Sequence, residues 1–320
     1  MTGPLIALTG STGFIGRHLL GALTARGYRV RVILRRPVEL PPGLSSAVVG
    51  DLARPQNMAA SLAGVDAVVH SAGLAHAMSG APEDDYRASN TEATLRLAQA
   101  AARARVRRFV FLSSIRAQTG PTAAGVVTEA DPPAPVDAYG RSKLAAEEAL
   151  AGVGIDYAAL RPVLVYGPGV KGNMAALLAL AERPFPLPFG GLAGRRSLVS
   201  VQTLASAVEA VLRAPDPLRR PFVVAEPDAL SLPEMIAALR AGLGRPRGLL
   251  PVPPGLVGLG LRLAGRAEAW ERLSGSLVAR ADALQALGWT APVATRDGLA
   301  ALARGSGLAT APGRPEVQSS

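Results

Sequence analysis

Only two lysines occur in the chain, and one of them lies four residues after a tyrosine, in the motif YGRSK between Tyr139 and Lys143. At this spacing both side chains project from one face of a helix, which Asp137 is positioned to cap. A phenol has an unperturbed pKa of about 10, and a neighbouring ammonium lowers it by ~1–3 units. The pair therefore predicts a phenolate that acts as a base on an alcohol near neutral pH.

A pair of hydroxyl residues, Ser113 and Ser114, follows the apolar strand pattern of residues 108–112. Parallel sheets present their ligands at the carboxyl ends of their strands. A serine pair at a strand end is also compatible with an ordinary turn, so this interpretation depends on its neighbours. With Tyr139 nearby, Ser114 is predicted to hold the reacting oxygen and to share its proton with the phenol.

A glycine-rich segment follows the first strand pattern and opens a helix; it reads Thr9-Gly10-Ser11-Thr12-Gly13-Phe14-Ile15-Gly16. Gly10 permits the tight turn, Gly13 lets backbone N–H groups approach a pyrophosphate, and Gly16 allows close packing of helix on strand. The helix N-terminus adds partial positive charge. The segment predicts a dinucleotide site, whose oxidised nicotinamide ring would add a second positive charge beside Tyr139.

The end of the second strand distinguishes NAD from NADP in such sites, through an acid for the ribose 2′-OH or an arginine for the 2′-phosphate. Here the strand of residues 29–34 is followed by Arg35 and Arg36, and the next acid is Glu39. A guanidinium binds phosphate in bidentate fashion, whereas a carboxylate would repel it. We expect NAD or NADP as cofactor, with NADP favoured by Arg35.

The elements that must position these residues alternate along the first half of the chain. Strand patterns occur at 5–9, 29–34, 47–50, 67–71, 108–113 and 157–160, and helical patterns at 15–26, 57–63, 91–104 and 139–150. This alternation predicts an α/β fold of the Rossmann type, with a doubly wound parallel sheet. We assign residues 1–165 to an NAD(P)-binding Rossmann domain.

After Pro162 glycine and proline become frequent, with a helix expected near 203–213, a strand at 222–225 and a helix opened by a capping box at Ser231. Residues 166–310 are predicted to form a smaller C-terminal substrate-binding domain that returns elements to the sheet, and residues 311–320 a disordered tail. The apolar stretch 249–263 is short, contains three prolines and carries Arg262. For it we favour a buried or lid helix over membrane contact.

Composition excludes several classes of protein. Hydrophobic residues make up 49% of the 320 residues, enough for a packed core, and there is no cysteine for a disulfide scaffold or a thiolate site. With three histidines no metal site is expected. The net charge of +10 comes from scattered arginines and aromatic residues are only 4%, so no nucleic-acid partner is expected. We find neither an apolar run of ~18–20 residues nor room for a signal peptide, and expect a cytoplasmic protein without a membrane span.

Together these motifs resemble the extended short-chain dehydrogenase/reductase superfamily, in its NAD-dependent epimerase/dehydratase family. The resemblance spans roughly residues 4–300 and includes TGSTGFIG, GDL at 50–52, HSAG at 70–73, FVFLSS, YGRSK, RPVLVYGPG at 161–169, RRSLV at 195–199 and LGW at 287–289. It implies a catalytic triad of Ser114, Tyr139 and Lys143. It further implies cofactor contacts from Asp51, Leu52, Ala72, Gly73, Asn90, Tyr139, Lys143 and Pro162, and substrate contacts from Ser114, Asn173 and Arg196.

The motifs look like those of a bacterial subgroup that acts on UDP-hexoses or UDP-N-acetylhexosamines in polysaccharide synthesis. The resemblance implies a homodimer that acts at C4 of such a UDP-sugar, most simply a 4-epimerase, with an NADPH-dependent 4-keto-reductase as the alternative. Ile115 and Arg116 stand where dehydratases of the family carry an Asp-Glu pair, which disfavours elimination. Residues 117–120 replace a usual aromatic side chain of the substrate wall, so the identity of the sugar stays open.

Two more distant alternatives are a reductase of a non-nucleotide carbonyl compound and a dinucleotide sensor without catalytic activity. Asn173 and Arg196 argue against the first, because such a substrate offers no diphosphate to bind. The intact set of Ser114, Tyr139 and Lys143 argues against the second, because a sensor has no need of a tuned phenol.

Overall fold

The computed structural model describes residues 3–74, 81–263, 265, 270 and 273–309. The strands in these ranges are β1 (Leu5–Thr9), β2 (Arg29–Leu34), β3 (Ser45–Val48), β4 (Ala67–His70), β5 (Arg108–Leu112), β6 (Val126–Val127), β7 (Tyr157–Pro162), β8 (Leu164–Tyr166), β9 (Arg195–Arg196), β10 (Leu198–Ser200), β11 (Arg220–Val224), β12 (Leu230–Ser231) and β13 (Val278–Ala279).

The helices in the same ranges are α1 (Phe14–Ala25), α2 (Met58–Ser61), α3 (Glu83–Tyr86), α4 (Ala93–Arg103), α5 (Ala138–Val153), α6 (Asn173–Ala181), α7 (Val201–Arg213), α8 (Leu232–Gly242), α9 (Pro254–Leu263), α10 (Asp282–Ala286) and α11 (Thr295–Ala309). A π-helical turn over Arg87–Glu92 joins α3 to α4, and a short 3₁₀ helix occupies Ile115–Ala117.

Seven strands form one parallel sheet in the order β3-β2-β1-β4-β5-β7-β11. From β1 the chain adds β2 and β3 on one side, and it then crosses to add β4 on the other side of β1, so the strand order reverses between β1 and β4. Sheets of this type bind ligands at that point. The predicted doubly wound Rossmann fold is thereby confirmed. β11 comes from the second half of the chain and forms one edge of the sheet beside β7. The domain boundary at residue 165 stays a prediction.

Both faces of the sheet are buried, as the continuous apolar strand patterns require. In β1, Ile6 and Leu8 belong to a core cluster that includes residues of α1 and α7, whereas Leu5 and Ala7 belong to a cluster with residues of α4 and α5. β1 and β2 begin and end at the predicted residues. The predicted strand 47–50 is displaced to β3, a largely exposed edge strand without an alternation of buried and exposed residues, so its sequence gave a poor signal.

A third apolar cluster in the second half of the chain includes residues of α6, α8 and α11. The capping box that opens α8 is present, since Ser231 accepts from the backbone of Glu234 and the glutamate accepts in return. Residues 254–263 form helix α9. Of the two predicted alternatives, the buried helix is wrong, because Leu256, Leu259 and Leu263 are 60%, 53% and 81% exposed, and the lid helix stays a prediction. In the described part of the chain, no helix has both the length and the apolar character needed to cross a membrane. The predicted tail lies outside the described residues.

Candidate active site

The glycine-rich loop between β1 and α1 has the geometry that its sequence predicts. Gly10 has a φ of +72°, a left-handed conformation that favours glycine, and its carbonyl accepts from the Gly13 N–H at 2.9 Å. A Cβ atom at Gly16 would lie 2.0 Å from the Gly10 oxygen, so only glycine lets the helix start this close to the strand. The Ser11 hydroxyl is buried without a hydrogen-bond partner among the described residues. An unpaired buried hydroxyl is costly, so this group is suited to a ligand oxygen.

A cavity of about 300 Å³ opens at the switch point of the sheet beside this loop. Predicted cofactor residues that line it come from four separate segments: Gly10, Arg35, Asp51, Leu52, Ala72 and Gly73. The sequence interpretation did not single out four other lining residues, Ser11, Thr12, Leu74 and Ser89, although the first two lie inside the glycine-rich motif. Arg36 is exposed and, in the described part of the chain, stands outside the cavity lining.

Asn90, another predicted cofactor residue, is fully buried and hydrogen-bonded to protein groups. Its Oδ1 atom accepts from the Leu74 N–H at 2.8 Å, and its amide nitrogen donates to the Ser142 hydroxyl at 2.9 Å. A Cβ atom at Gly73 would lie 2.6 Å from Oδ1, so glycine is required there as well. Asn90 thus ties the loop after β4 to helix α5, and a direct cofactor contact stays a prediction.

A buried histidine, His70, is hydrogen-bonded to the threonine that holds the loop after β4. Thr9 Oγ1 accepts from two backbone N–H groups of the loop after β4, so it donates to His70 Nδ1 at 2.7 Å. This assignment places the ring proton on Nε2, which lies 3.0 Å from Thr94 Oγ1. Burial, with the nearby Lys143, lowers the pKa of His70 to about 3, so the ring is neutral. The network holds the wall of the cavity in place.

The structure brings together the three residues of the predicted triad. Asp137 caps α5 through the Gly140 N–H, as predicted, and the helix presents Tyr139 and Lys143 towards the carboxyl end of β5. The Ser114 hydroxyl lies near enough to the Tyr139 phenol to lower its pKa. The Lys143 ammonium donates to the Leu112 carbonyl oxygen at 2.9 Å and lies 6.0 Å from the centre of the Tyr139 ring.

The pKa of Tyr139 differs in direction from the expectation. Burial raises the pKa of Tyr139 to about 12, and the hydrogen bond with Ser114 offsets only part of this effect. Burial also lowers the pKa of Lys143 to about 8, while Glu147 raises it. The sequence interpretation counted the lysine charge beside the phenol but not the desolvation of both groups, which acts against either charged form.

Behind the triad lies a buried polar cluster that the sequence interpretation missed. Glu147, one turn beyond Lys143 on α5, accepts from the Ser113 hydroxyl at 2.5 Å and from the Arg161 Nη2 atom at 2.5 Å. Arg161 also donates to the Gln118 side chain. Both charged side chains are almost fully buried, at 3% and 6% exposure. A spacing of four residues from Lys143 to Glu147 was the available signal, but its partners lie far away in sequence.

The predicted substrate residues lie in the second half of the chain. Arg196 in β9 is partly buried and donates to the Pro121 carbonyl oxygen at 3.1 Å, so it lies against the segment that follows the 3₁₀ helix. Asn173 is exposed at the start of α6, and Pro162 is buried at the end of β7. Within the described ranges, no group of three or more His, Asp or Glu side chains is arranged to hold a metal ion.

The sheet order and the loop geometry define a Rossmann-type dinucleotide-binding protein. A model of the NAD dependent epimerase/dehydratase family matches residues 6–225. A UDP-glucose 4-epimerase of Vibrio cholerae is 36% identical over 304 residues, 92% of this chain and 92% of that protein. The chain therefore belongs to the NAD-dependent epimerase/dehydratase family, and it is an enzyme of that family.

Two further similarities bear on the chemistry. The solved structure of MoeE5 in complex with UDP-glucose and NAD has a TM-score of 0.74 and 28% identity, and the match covers 97% of this chain and 100% of that one. A ceramide reductase of Caulobacter vibrioides (strain NA1000 / CB15N) is 31% identical over 214 residues, 66% of this chain and 62% of that protein. Relatives of this chain thus include both an epimerase and a reductase.

Proposed function

We propose that this enzyme interconverts the C4 epimers of a UDP-hexose or UDP-N-acetylhexosamine. The observation that carries the proposal is the grouping of Ser114, Tyr139 and Lys143 at the carboxyl end of β5. The relative that covers 92% of this chain is a UDP-glucose 4-epimerase, and MoeE5 holds UDP-glucose together with NAD. These similarities support a UDP-sugar as substrate.

The residues around the cavity fit a dinucleotide. The loop from Gly10 to Gly16 would hold the pyrophosphate, and the unpaired Ser11 hydroxyl would donate to one of its oxygens. Asp51 and Leu52 would flank the adenine at the far side of the lining. A nicotinamide cofactor bound there would supply reversible hydride transfer at C4 of the sugar.

Side chains of the protein transfer the proton of the 4-hydroxyl group. Tyr139 takes the proton of the 4-hydroxyl group during oxidation and gives it back during reduction, while Ser114 holds the same oxygen by a hydrogen bond. Lys143, whose pKa of about 8 lies near neutrality, supplies positive charge next to the phenol in its protonated form. Arg196 and Asn173 would hold the diphosphate and the uridine side. Burial raises the pKa of the phenol, and the positive charge of an oxidised nicotinamide would favour its ionisation.

The lining position of Arg35 favours a second candidate, an NADPH-dependent 4-keto-reductase that performs only the return of hydride and proton. The two candidates differ in their cofactor and in their need for a co-substrate. We expect native protein to release stoichiometric NAD on denaturation, measured by mass spectrometry, and to convert UDP-glucose to UDP-galactose without added cofactor. A protein that has no copurified NAD, converts no UDP-hexose or UDP-N-acetylhexosamine, and reduces a UDP-4-keto-sugar with NADPH is the reductase instead.

Cofactor preference is expected to depend on the charge of Arg35. A guanidinium contact to a 2′-phosphate is typically worth ~1.5–3 kcal/mol, and reversal of its sign adds repulsion. The change Arg35→Asp should therefore lower the ratio of NADPH to NADH affinity at least ~10-fold, measured by fluorescence titration of apoprotein with both cofactors. Arg36→Asp, outside the lining, is the matched control and should leave the ratio close to that of the unaltered protein. An unchanged ratio in Arg35→Asp would remove the support for NADP.

A further inference from the structure

Arg116 connects the two segments that carry the catalytic hydroxyl groups. Its backbone N–H donates to the Ser114 hydroxyl at 3.1 Å, two residues before it. Its guanidinium forms an ion pair with Asp137, two residues before Tyr139. The other carboxylate oxygen of Asp137 accepts from the Gly140 N–H at 2.7 Å and caps α5. Arg116 therefore joins the turn that contains Ser114 to the first turn of α5, the helix that carries Tyr139.

The backbones of the two segments are also in direct contact. A Cβ atom at Gly140 would lie 2.3 Å from the Arg116 carbonyl oxygen, so the first turn of α5 lies directly on the 3₁₀ helix. Arg116 and Asp137 are 14% and 27% exposed, which limits screening of the pair by water. The ion pair therefore bridges two segments whose backbones are also in contact.

The two charges of this ion pair act on Tyr139 in opposite directions. Asp137 raises the pKa of the phenol and Arg116 lowers it, while Tyr86 on α3 raises it and the Ser114 hydrogen bond lowers it. On the tyrosine's own helix, the Lys143 ammonium lies 6.0 Å from the ring centre. Arg116 and Asp137 therefore place two opposite charges beside the phenol, and the effect of Asp137 is the larger.

We propose that the Arg116–Asp137 ion pair is a positioning device that sets the geometry of Ser114 and Tyr139 and keeps the charge beside the phenol balanced. The inference rests on the proposed function, since it takes Tyr139 as the catalytic base. Neither Arg116 nor Asp137 is placed in contact with the reacting atoms. Arg116 is one of the two residues that stand where dehydratases of the family carry an Asp-Glu pair, and the proposal gives it a positioning role.

The test is the pH profile of kcat/KM in the single and double variants. Arg116→Gln removes the positive charge and keeps the Asp137 carboxylate, so the acid-side limb should move to higher pH by roughly one unit. Asp137→Asn leaves the guanidinium alone, so the limb should move to lower pH, and asparagine still caps the helix. The double variant should return to the profile of the unaltered enzyme. Arg116→Lys keeps the positive charge, so the acid-side limb should return to the pH of the unaltered enzyme. Its kcat should stay below that of the unaltered enzyme.

A merely structural pair would give a different pattern, with a loss of kcat in both single variants and no opposed shifts of the limb. That result, or shifts in the same direction, would overturn the proposal. Arg141, on α5 like Tyr139, forms an exposed ion pair with Glu83 on α3, and Arg141→Gln is the control that should leave the profile unchanged. Failure of the proposed function is seen separately, in a Tyr139→Phe enzyme that keeps its activity. Thermal melting of each variant shows whether the fold is intact, and Arg116→Lys carries the test if Arg116→Gln does not fold.

Discussion

Replacement of Tyr139 by phenylalanine is expected to lower kcat at least ~10²-fold, the usual scale for a positioned acid–base group. The phenol oxygen is the group on which the Ser114 hydroxyl acts, and its loss leaves the 4-hydroxyl proton without an acceptor. The ring itself remains and keeps its edge-on contact with Tyr86, so the fold should be unaffected. Single-turnover measurement of hydride transfer from UDP-glucose gives the rate directly.

Tyr157→Phe is the matched control, because Tyr157 is a buried tyrosine at the beginning of β7, at the opposite end of the sheet from the site. It should keep nearly full activity, and both variants should bind NAD with unchanged affinity. An activity of Tyr139→Phe within roughly threefold of the unaltered enzyme, far short of the acid–base scale, would show that Tyr139 is not the base. The triad assignment would then fail at its centre.

The features that the sequence predicted well are those with local physical causes. The strand of residues 5–9, the glycine-rich loop and the start of α1 follow from a buried apolar run, from a left-handed conformation at Gly10 and from the close approach at Gly16. The helical spacing of Tyr139 and Lys143 is equally local. Each of these needs only neighbouring residues for its explanation, so each could be predicted before the tertiary structure was considered.

The features that the sequence did not reveal depend on desolvation and on distant partners. Whether burial or the Lys143 charge controls the pKa of Tyr139 follows only from the packed site. His70 owes its neutral state to burial and to the nearby Lys143, and its hydrogen-bond partner is a threonine 61 residues before it, which no motif encodes. The apolar residues of α9 predicted burial, but burial also requires a packing partner, and Leu263 is 81% exposed.

The buried ion pair between Glu147 and Arg161 carries the second large expected effect. Glu147→Gln should lower the free energy of unfolding by ~3–5 kcal/mol, because Arg161 would remain as a buried cation without a counter-charge. The guanidinium is 3% exposed, so water cannot replace the lost carboxylate. The Ser113 hydroxyl would lose its charged acceptor as well. Urea unfolding followed by circular dichroism measures the change at constant m-value.

Two further variants compare the loss of one buried charge with the loss of an exposed ion pair and with the removal of both buried charges. Glu83→Gln breaks the exposed ion pair with Arg141 and should leave the urea midpoint nearly unchanged. Glu147→Met combined with Arg161→Met removes both charges, and it should recover part of the stability that Glu147→Gln loses, since apolar replacement of a whole buried pair is often neutral. A loss below ~1 kcal/mol in Glu147→Gln would mean that the cation finds another partner. Glu147 would then not be the residue that stabilises the polar cluster behind the triad.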